Sequence, residues 1–125
     1  MGSGFQPRGD TTGRVEPMPM MKDCINACDL AHRTATEAAI HGMQQGGDLA
    51  NWELVQLLLD TADITETAAD FLLRSSRQYT SLLRVTAEIA DKCADACEKL
   101  APIDLRMKEC AESCRRAATQ CRKVL

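Results

Sequence analysis

The sequence predicts an all-α protein, an antiparallel four-helix bundle with up-down-up-down topology. Apolar residues recur at alternating steps of three and four along four segments, which is the period of an α-helix with one buried face. Clusters of Gly, Ser or Pro interrupt this period three times, and the short connections force neighbouring helices to run antiparallel. With 125 residues, of which 45% are hydrophobic and 26% charged, the chain fits one globular domain.

The N-terminal segment lacks this periodicity. Residues 1–19 are rich in Gly, Pro and polar side chains, so we predict a disordered tail, of which residues 1–4 resemble a cloning remnant. The tripeptide Arg8-Gly9-Asp10 resembles an adhesion motif. We interpret it as a chance match, because nothing else in the sequence suggests an extracellular protein. The bundle is therefore predicted over residues 20–125.

Three interruptions divide the bundle into helices. Gly46 and Gly47 end the first helix, and Asp48 is the expected N-cap of the second. The segment RSSRQ separates the second helix from the third, and Pro102 separates the third from the fourth. The predicted helices cover residues 20–44, 49–74, 77–100 and 104–124.

All seven cysteines fall on the stripe that faces the bundle axis. They are Cys24, Cys28, Cys93, Cys97, Cys110, Cys114 and Cys121. The middle of each stripe is otherwise Ala or Thr, whereas an ordinary bundle core is filled with Leu and Ile. Two interpretations follow: the helices pack closely around small side chains, or the axis is a narrow space that holds a ligand.

The spacing of the cysteines favours metal binding over disulfides. Residues four apart on a helix have Cβ atoms about 5–6 Å apart, whereas a disulfide requires about 3.5–4.5 Å. The three CxxxC pairs are therefore expected to be reduced. Soft thiolates select Cu(I), zinc or iron–sulfur clusters. We rank Cu(I) first because two or three sulfurs satisfy it, zinc second and iron–sulfur third.

Heights along the helices sort the thiols into two groups. The upper cluster, near the turn between helices 3 and 4, comprises Cys93, Cys97, Cys110 and Cys114. The lower cluster, toward the opposite end, comprises Cys24, Cys28 and Cys121. His41 and Met43 end helix 1 on the side of the upper cluster, while Met18, Met20 and Met21 lie on the side of the lower cluster. His32 lies one residue beyond the inward stripe, which favours a boundary position over a ligand.

Several segments resemble a known family. CINACDLAHRTATEAAIHGMQQGG, IADKCADACEKL and KECAESCRRAATQCRKV are similar to helices of the bacterial cysteine-rich four-helix-bundle copper storage proteins. The resemblance covers residues 20–125. It implies Cu(I) ligation by all seven cysteines, roles for His41 and Met43 near one mouth of the bundle, and a homotetramer. Thr61, Thr65 and Ala117 stand where the family pattern has cysteine, which implies a thiol-depleted member holding a few Cu(I) ions in two clusters.

The function predicted from the sequence is a cytoplasmic protein that binds and sequesters Cu(I). A net charge of −3 argues against nucleic-acid binding, no apolar run reaches membrane-spanning length, and no catalytic constellation is present, so we predict no enzyme. Wide apolar faces on helices 2 and 3 predict a homo-oligomer, a dimer or tetramer. Two alternatives stay open: a structural or interaction bundle with lost or reduced metal binding, and zinc bound by the four upper thiols.

Overall fold

The computed structural model describes residues 18–125 and contains four α-helices joined by short connections. The helices are α1 (Pro19–Gln45), α2 (Trp52–Leu73), α3 (Tyr79–Glu98) and α4 (Leu105–Lys123), and a short 3₁₀ turn, Gly47–Ala50, lies between α1 and α2. The predicted all-α four-helix bundle is confirmed. Residues 1–17, which include most of the predicted tail and the Arg8-Gly9-Asp10 tripeptide, lie outside the described residues.

The helices close into a ring around one core. α1 packs against α2 and α4, and α3 packs against the same two neighbours. All seven cysteines of the predicted inward stripes are buried, as are the Ala and Thr residues between them. Met21, Leu100 and Val124, near the ends of the bundle, are half-buried. The core is accordingly built from Cys, Ala and Thr with a few Leu side chains, as the stripe pattern predicted.

The start of α2 differs from the prediction. Asp48 does not cap this helix but lies in the 3₁₀ turn, and the side chain of Asn51 instead accepts a hydrogen bond from the Leu54 amide at 3.2 Å. The reason lies in Gly46 and Gly47, whose φ angles of 78° and 61° redirect the chain into the 3₁₀ turn before the helix begins.

The end of the bundle near the α1–α2 connection is closed by an unusually close backbone contact. A Cβ atom added to Gly42 would lie 2.2 Å from the carbonyl oxygen of Leu49 and 3.5 Å from the terminal methyl of Met107. Only glycine permits this approach. The 3₁₀ turn therefore lies directly on the last turns of α1, above the fully buried Met107. Within residues 18–125, none of the helices combines the length and apolarity that a membrane crossing requires.

Candidate metal centre

The cysteine side chains converge inside the bundle in two places. All seven cysteines are unbridged and fully buried. Residues 18–125 contain two groups of three thiols in which every sulfur lies within 4.8 Å of the other two. One group is Cys24, Cys28 and Cys121, and the other is Cys93, Cys110 and Cys114. Sulfur atoms at such separations can share one metal ion at metal–sulfur distances near 2.3 Å.

The first of these groups is the predicted lower cluster in full. Cys24 and Cys28 lie one turn apart on α1, and Cys121 projects from α4. The Sγ atom of Cys121 is 3.7 Å from that of Cys24 and 3.8 Å from that of Cys28. Because its ligands come from the first and last helices of the bundle, an ion bound here would join α1 to α4.

The upper cluster has three compact thiols and a fourth beside them. Cys110 and Cys114 on α4 have Sγ atoms 3.8 Å apart, and Cys93 on α3 completes the compact group. Cys97 is not part of that group, although Cys110 and Cys93 lie near enough to raise its pKa. The sequence predicted four equivalent thiols here, whereas the structure arranges them as three plus one.

Hydrogen bonds among the lower thiols favour one thiolate. Hydrogen bonding with Cys121 and Cys28 lowers the pKa of Cys24 to about 4, against the opposing effect of burial. The bond with Cys24 raises the pKa of Cys121 to about 12, and bonds with Cys121 and Cys24 raise that of Cys28 well above its usual range. Interactions among these thiols thus lower the pKa of Cys24 and raise those of its two neighbours.

The upper cluster repeats this division. Hydrogen bonds from Cys110, Cys114 and Cys97 hold the pKa of Cys93 far below its usual range, with a smaller contribution from the side chain of Thr61. The pKa values of the other three thiols are raised. The bond with Cys114 is the main cause for Cys110, and the bond with Cys110 is the main cause for Cys97. For Cys114 the bond with Cys110 lowers the pKa, but the bond with Cys93 and burial raise it further. Each cluster therefore offers a cation one favoured thiolate, and a bound cation would favour ionisation of the others.

The histidines lie outside both groups of thiols. His32 donates from Nδ1 to the carbonyl oxygen of Ala62 at 2.7 Å and so joins α1 to α2, in agreement with a boundary position. The Nε2 atom of His41 lies 2.7 Å from Oδ2 of Asp104. Met43, the other residue predicted near the mouth, is 49% exposed.

Asp104 is a polar residue that sequence reasoning missed. Its Oδ1 atom accepts a hydrogen bond from the Met107 amide and caps α4, while its other carboxylate oxygen contacts His41. Burial alone would raise the pKa of Asp104, but the bonds from His41 and Met107 lower it below its usual range. Its place just after Pro102 and before a helical segment is an N-cap signal that could have identified it.

The amino-acid sequence of this bundle also matches the profile of a protein family. The profile of that family, described as "Copper storage protein", matches residues 16–125. The chain belongs to the copper storage protein family. Among curated proteins, none matches the sequence. The family assignment confirms the resemblance found in the sequence.

Solved structures with the same fold include other copper storage proteins. The Nmul_A1745 protein from Nitrosospira multiformis is 35% identical, with a TM-score of 0.77 over 83% of this chain and 93% of that chain. A cytosolic copper storage protein from Streptomyces lividans, solved with five coppers, is 23% identical, with a TM-score of 0.79 over 85% and 92%. The Cu(I)-bound copper storage protein BsCsp3 is 21% identical, with a TM-score of 0.78 over 83% and 96%.

In this member of the copper storage family, a thiol-free layer separates the two clusters. Cys114 and Cys121 are seven residues apart on α4, which corresponds to about 10 Å along the helix. Ala117 lies between them and is fully buried. By the register of the helices, the fully buried Ala31, Ala90 and Thr65 occupy the same layer. The Thr65 hydroxyl donates to the Thr61 carbonyl at 2.7 Å within its own helix.

Proposed function

We propose that this protein binds Cu(I) in two separate thiolate clusters and sequesters the ion without catalysing a reaction. The observation that carries the proposal is the pair of fully buried groups of three cysteines, each with sulfurs within 4.8 Å of one another. Thiolates are soft ligands that select Cu(I). The enclosing bundle keeps water and competing hard ligands away from the ion.

The three-plus-one arrangement of the upper cluster favours Cu(I) over zinc. Structural zinc sites are closed by four ligands in a tetrahedron, whereas the compact group contains three sulfurs and excludes Cys97. Cu(I) needs only two or three sulfurs, so each compact group is a complete site for it. Cys97 then extends the upper cluster toward additional ions, and the upper cluster holds the larger share of the copper.

The mouth roles of His41 and Met43 are part of the same proposal. Both lie at the upper end of the bundle, His41 against Asp104 and Met43 partly in solvent. A half-buried imidazole and an exposed thioether at that end suit transient contact with an arriving ion rather than permanent ligation.

The proposal includes a cellular location and an oligomeric state. The relative from Streptomyces lividans is described as cytosolic, and free buried thiols suit a reducing compartment, so we place this protein in the cytoplasm. The exposed apolar side chains Trp52, Leu59 and Leu73 on α2 and Val85 on α3 support a homo-oligomer, a dimer or tetramer, through these helices. Light scattering at micromolar concentration should report a species larger than the monomer, and a monomer alone would contradict this part of the proposal.

An anaerobic titration tests the proposed function. Reduced protein receives Cu(I) in the presence of a competing chromogenic Cu(I) chelator, and a parallel titration uses Zn²⁺ with a zinc chelator. We expect the protein to withdraw several Cu(I) ions from the chelator and to compete poorly for zinc. The metal-free protein should also melt cooperatively with or without chelator, because its core is complete without an ion. Failure to withdraw Cu(I) would leave the structural or interaction bundle as the function.

A further inference from the structure

Three methionines meet at the lower end of the bundle. The start of α1 and the end of α4 border a surface cavity of about 440 Å³. Its lining consists of Met18, Pro19, Met20, Met21, Lys123, Val124 and Leu125. Half of the six methionines of the sequence therefore line one small cavity.

Packing against the core explains the presence of only one of these three methionines. Met21 is half-buried and packs against the buried core together with Val124. Met18 and Met20 are 67% and 53% exposed. Because consecutive helical residues point in different directions, Met20 cannot share the core position of Met21. Two flexible apolar side chains thus stay in water beside a third that reaches the core.

The residues that line the cavity lie one helical turn from the lower cluster on both helices. Met20 and Met21 precede Cys24 by four and three residues, which places them on the same helix face one turn away. On α4, Val124 follows Cys121 by three residues. One helical turn is about 5.4 Å, so the thioethers of the cavity and the thiols of the lower cluster lie in adjacent layers.

Thioether and thiolate sulfurs differ in strength toward the same ion. Both are soft ligands that accept Cu(I), but the thioether is neutral whereas the thiolate carries a charge that attracts the cation. A Cu(I) ion held by methionine in the outer layer is therefore bound more weakly than one held by cysteine in the inner layer. An ion that reaches the outer layer moves inward down a gradient of affinity.

We propose that Met18, Met20 and Met21 form a thioether docking site for Cu(I), through which the lower cluster is loaded from its own end of the bundle. The inference rests on the proposed function. Copper stays in the +1 state throughout. Each thiol that becomes a ligand forms an S–Cu bond, loses its S–H bond and releases the proton to solvent, so the transfer needs no oxidant or reductant.

The site serves the lower cluster rather than the upper one. The seven residues from Cys121 to Cys114 put the nearest upper thiol about 10 Å further along the bundle, across a layer without thiols. At the other end, the 3₁₀ turn against Gly42 and the buried Met107 close the bundle above the upper cluster. The methionine-lined cavity therefore adjoins only the lower cluster.

The experiment measures loading rates by anaerobic stopped flow, with Cu(I) delivered from a weak chelator and Cu(I)–thiolate absorption as the signal. The phase that belongs to the lower cluster is the one lost in a Cys24→Ser/Cys121→Ser variant. In a Met18→Leu/Met20→Leu/Met21→Leu variant we expect that phase to slow about tenfold, or about 1.4 kcal/mol in barrier height, with unchanged final stoichiometry. Ile103→Ala, a change of an exposed apolar residue at the other end that contacts neither cluster, should leave that phase unchanged.

A second measurement keeps the inference testable if the triple variant folds poorly. In wild-type protein labelled at the methionine methyl carbons, less than one equivalent of Cu(I) should shift the NMR signals of Met18 and Met20 before that of the fully buried Met107. Wild-type loading rates in the triple variant, or unshifted Met18 and Met20 signals in wild type, would overturn the docking site. Both results leave the proposed function standing, which fails only if wild-type protein takes up no Cu(I).

Discussion

The two thiol clusters use the same chemistry in different surroundings. The lower cluster has three thiols, draws them from α1 and α4, and adjoins a methionine-lined cavity. The upper cluster has four thiols from α3 and α4, contacts Thr61, and lies beneath the closed end of the bundle at Gly42. The cluster with more thiols is therefore the one that is more enclosed by the bundle. The number of ligands and the access of ions to them differ separately within one bundle.

The clusters share their electrostatic organisation despite these differences. Each contains one cysteine whose pKa is lowered by hydrogen bonds from its neighbours, Cys24 below and Cys93 above. The remaining thiols of both clusters have raised pKa values. The clusters differ in the number of their thiols, so we expect their Cu(I) capacities to differ.

The largest expected effect comes from removing one cluster at a time. Cys93→Ser/Cys110→Ser should abolish more than half of the tight Cu(I) capacity, because the upper cluster holds four of the seven thiols. Cys24→Ser/Cys121→Ser should abolish a smaller share. Chelator competition measures both, and circular dichroism checks that the helices persist.

A matched control places a hydroxyl on the inward stripe of α4 without removing a thiol. Ala117→Ser, between the clusters on α4, should retain full capacity. Equal losses from the two cysteine pairs would contradict the distinction between clusters, and full capacity in the Cys93→Ser/Cys110→Ser variant would mean that the upper thiols serve only packing.

The next effect concerns the closed end above the upper cluster. Gly42→Ala forces a Cβ atom against the Leu49 carbonyl oxygen, and overpacking of this kind costs about 1–3 kcal/mol. Gly46→Ala is the control for backbone strain without a steric clash, since nothing lies within 4 Å of its Cβ position. Its φ of 78° and ψ of −168° lie in a region that is almost restricted to glycine, at a cost of about 1–3 kcal/mol for another residue. Chemical denaturation measures both free energies of unfolding.

The same two variants also test how Cu(I) reaches each cluster. Displacing the 3₁₀ turn in Gly42→Ala should speed Cu(I) loading of the upper cluster and leave the lower cluster unaffected. If Gly42→Ala is as stable as wild type, the close contact at this end of the bundle is wrong.

A smaller effect is expected from restoring one thiol. The side chain of Thr61 contacts Cys93, so Thr61→Cys adds a fifth sulfur to the upper cluster. We expect the Cu(I) capacity of that cluster to rise, by native mass spectrometry of the loaded protein, with the lower cluster unchanged. Thr61→Val, which has the same shape but no sulfur, should show no gain. An equal capacity in all three proteins would mean that Thr61 lies too far from the ions to contribute.

The smallest effect concerns the pH dependence of stability at the upper end. Because the pKa of Asp104 is lowered in the folded state, its carboxylate stabilises the fold above the unfolded pKa of about 3.9. That contribution is lost as pH falls through the lower folded pKa. Asp104→Asn keeps an N-cap side chain but removes the charge facing His41. This substitution should lower the free energy of unfolding by roughly 1 kcal/mol or less near neutral pH. At a pH well below 3 it should leave the free energy of unfolding unchanged.

Denaturation curves of wild type and Asp104→Asn at both pH values give the comparison. A difference that persists unchanged in acid would contradict an electrostatic role for Asp104. A matched change at Asp95, whose side chain is mostly exposed and bonds Arg115 on the surface, should have a weaker effect at either pH.

Periodicity predicted the fold and the two clusters because both depend on positions within each helix. Alternating steps of three and four put Cys24 and Cys28 on one stripe, and counting residues from Pro102 put Cys93 level with Cys114. Contacts between helices depend on side-chain rotation and on the exact register, which periodicity does not contain. For this reason the sequence did not predict the separate position of Cys97 or the contact of Thr61 with Cys93.

Local conformation explains the remaining differences. The N-cap of α2 is Asn51 rather than the predicted Asp48. Two glycines with positive φ allow a 3₁₀ turn to form before the helix begins. The pairing of His41 with Asp104 joins residues 63 positions apart in the sequence, and only the packed bundle brings them together.

A crystal structure of the Cu(I)-loaded protein, with anomalous scattering measured at the copper edge, tests the central claim most directly. We predict copper peaks among Cys24, Cys28 and Cys121 and among Cys93, Cys110 and Cys114. The layer that contains Ala117 and Thr65 should hold no peak. A continuous row of copper through that layer, or copper bound only at the surface, would contradict the account of two separate buried clusters.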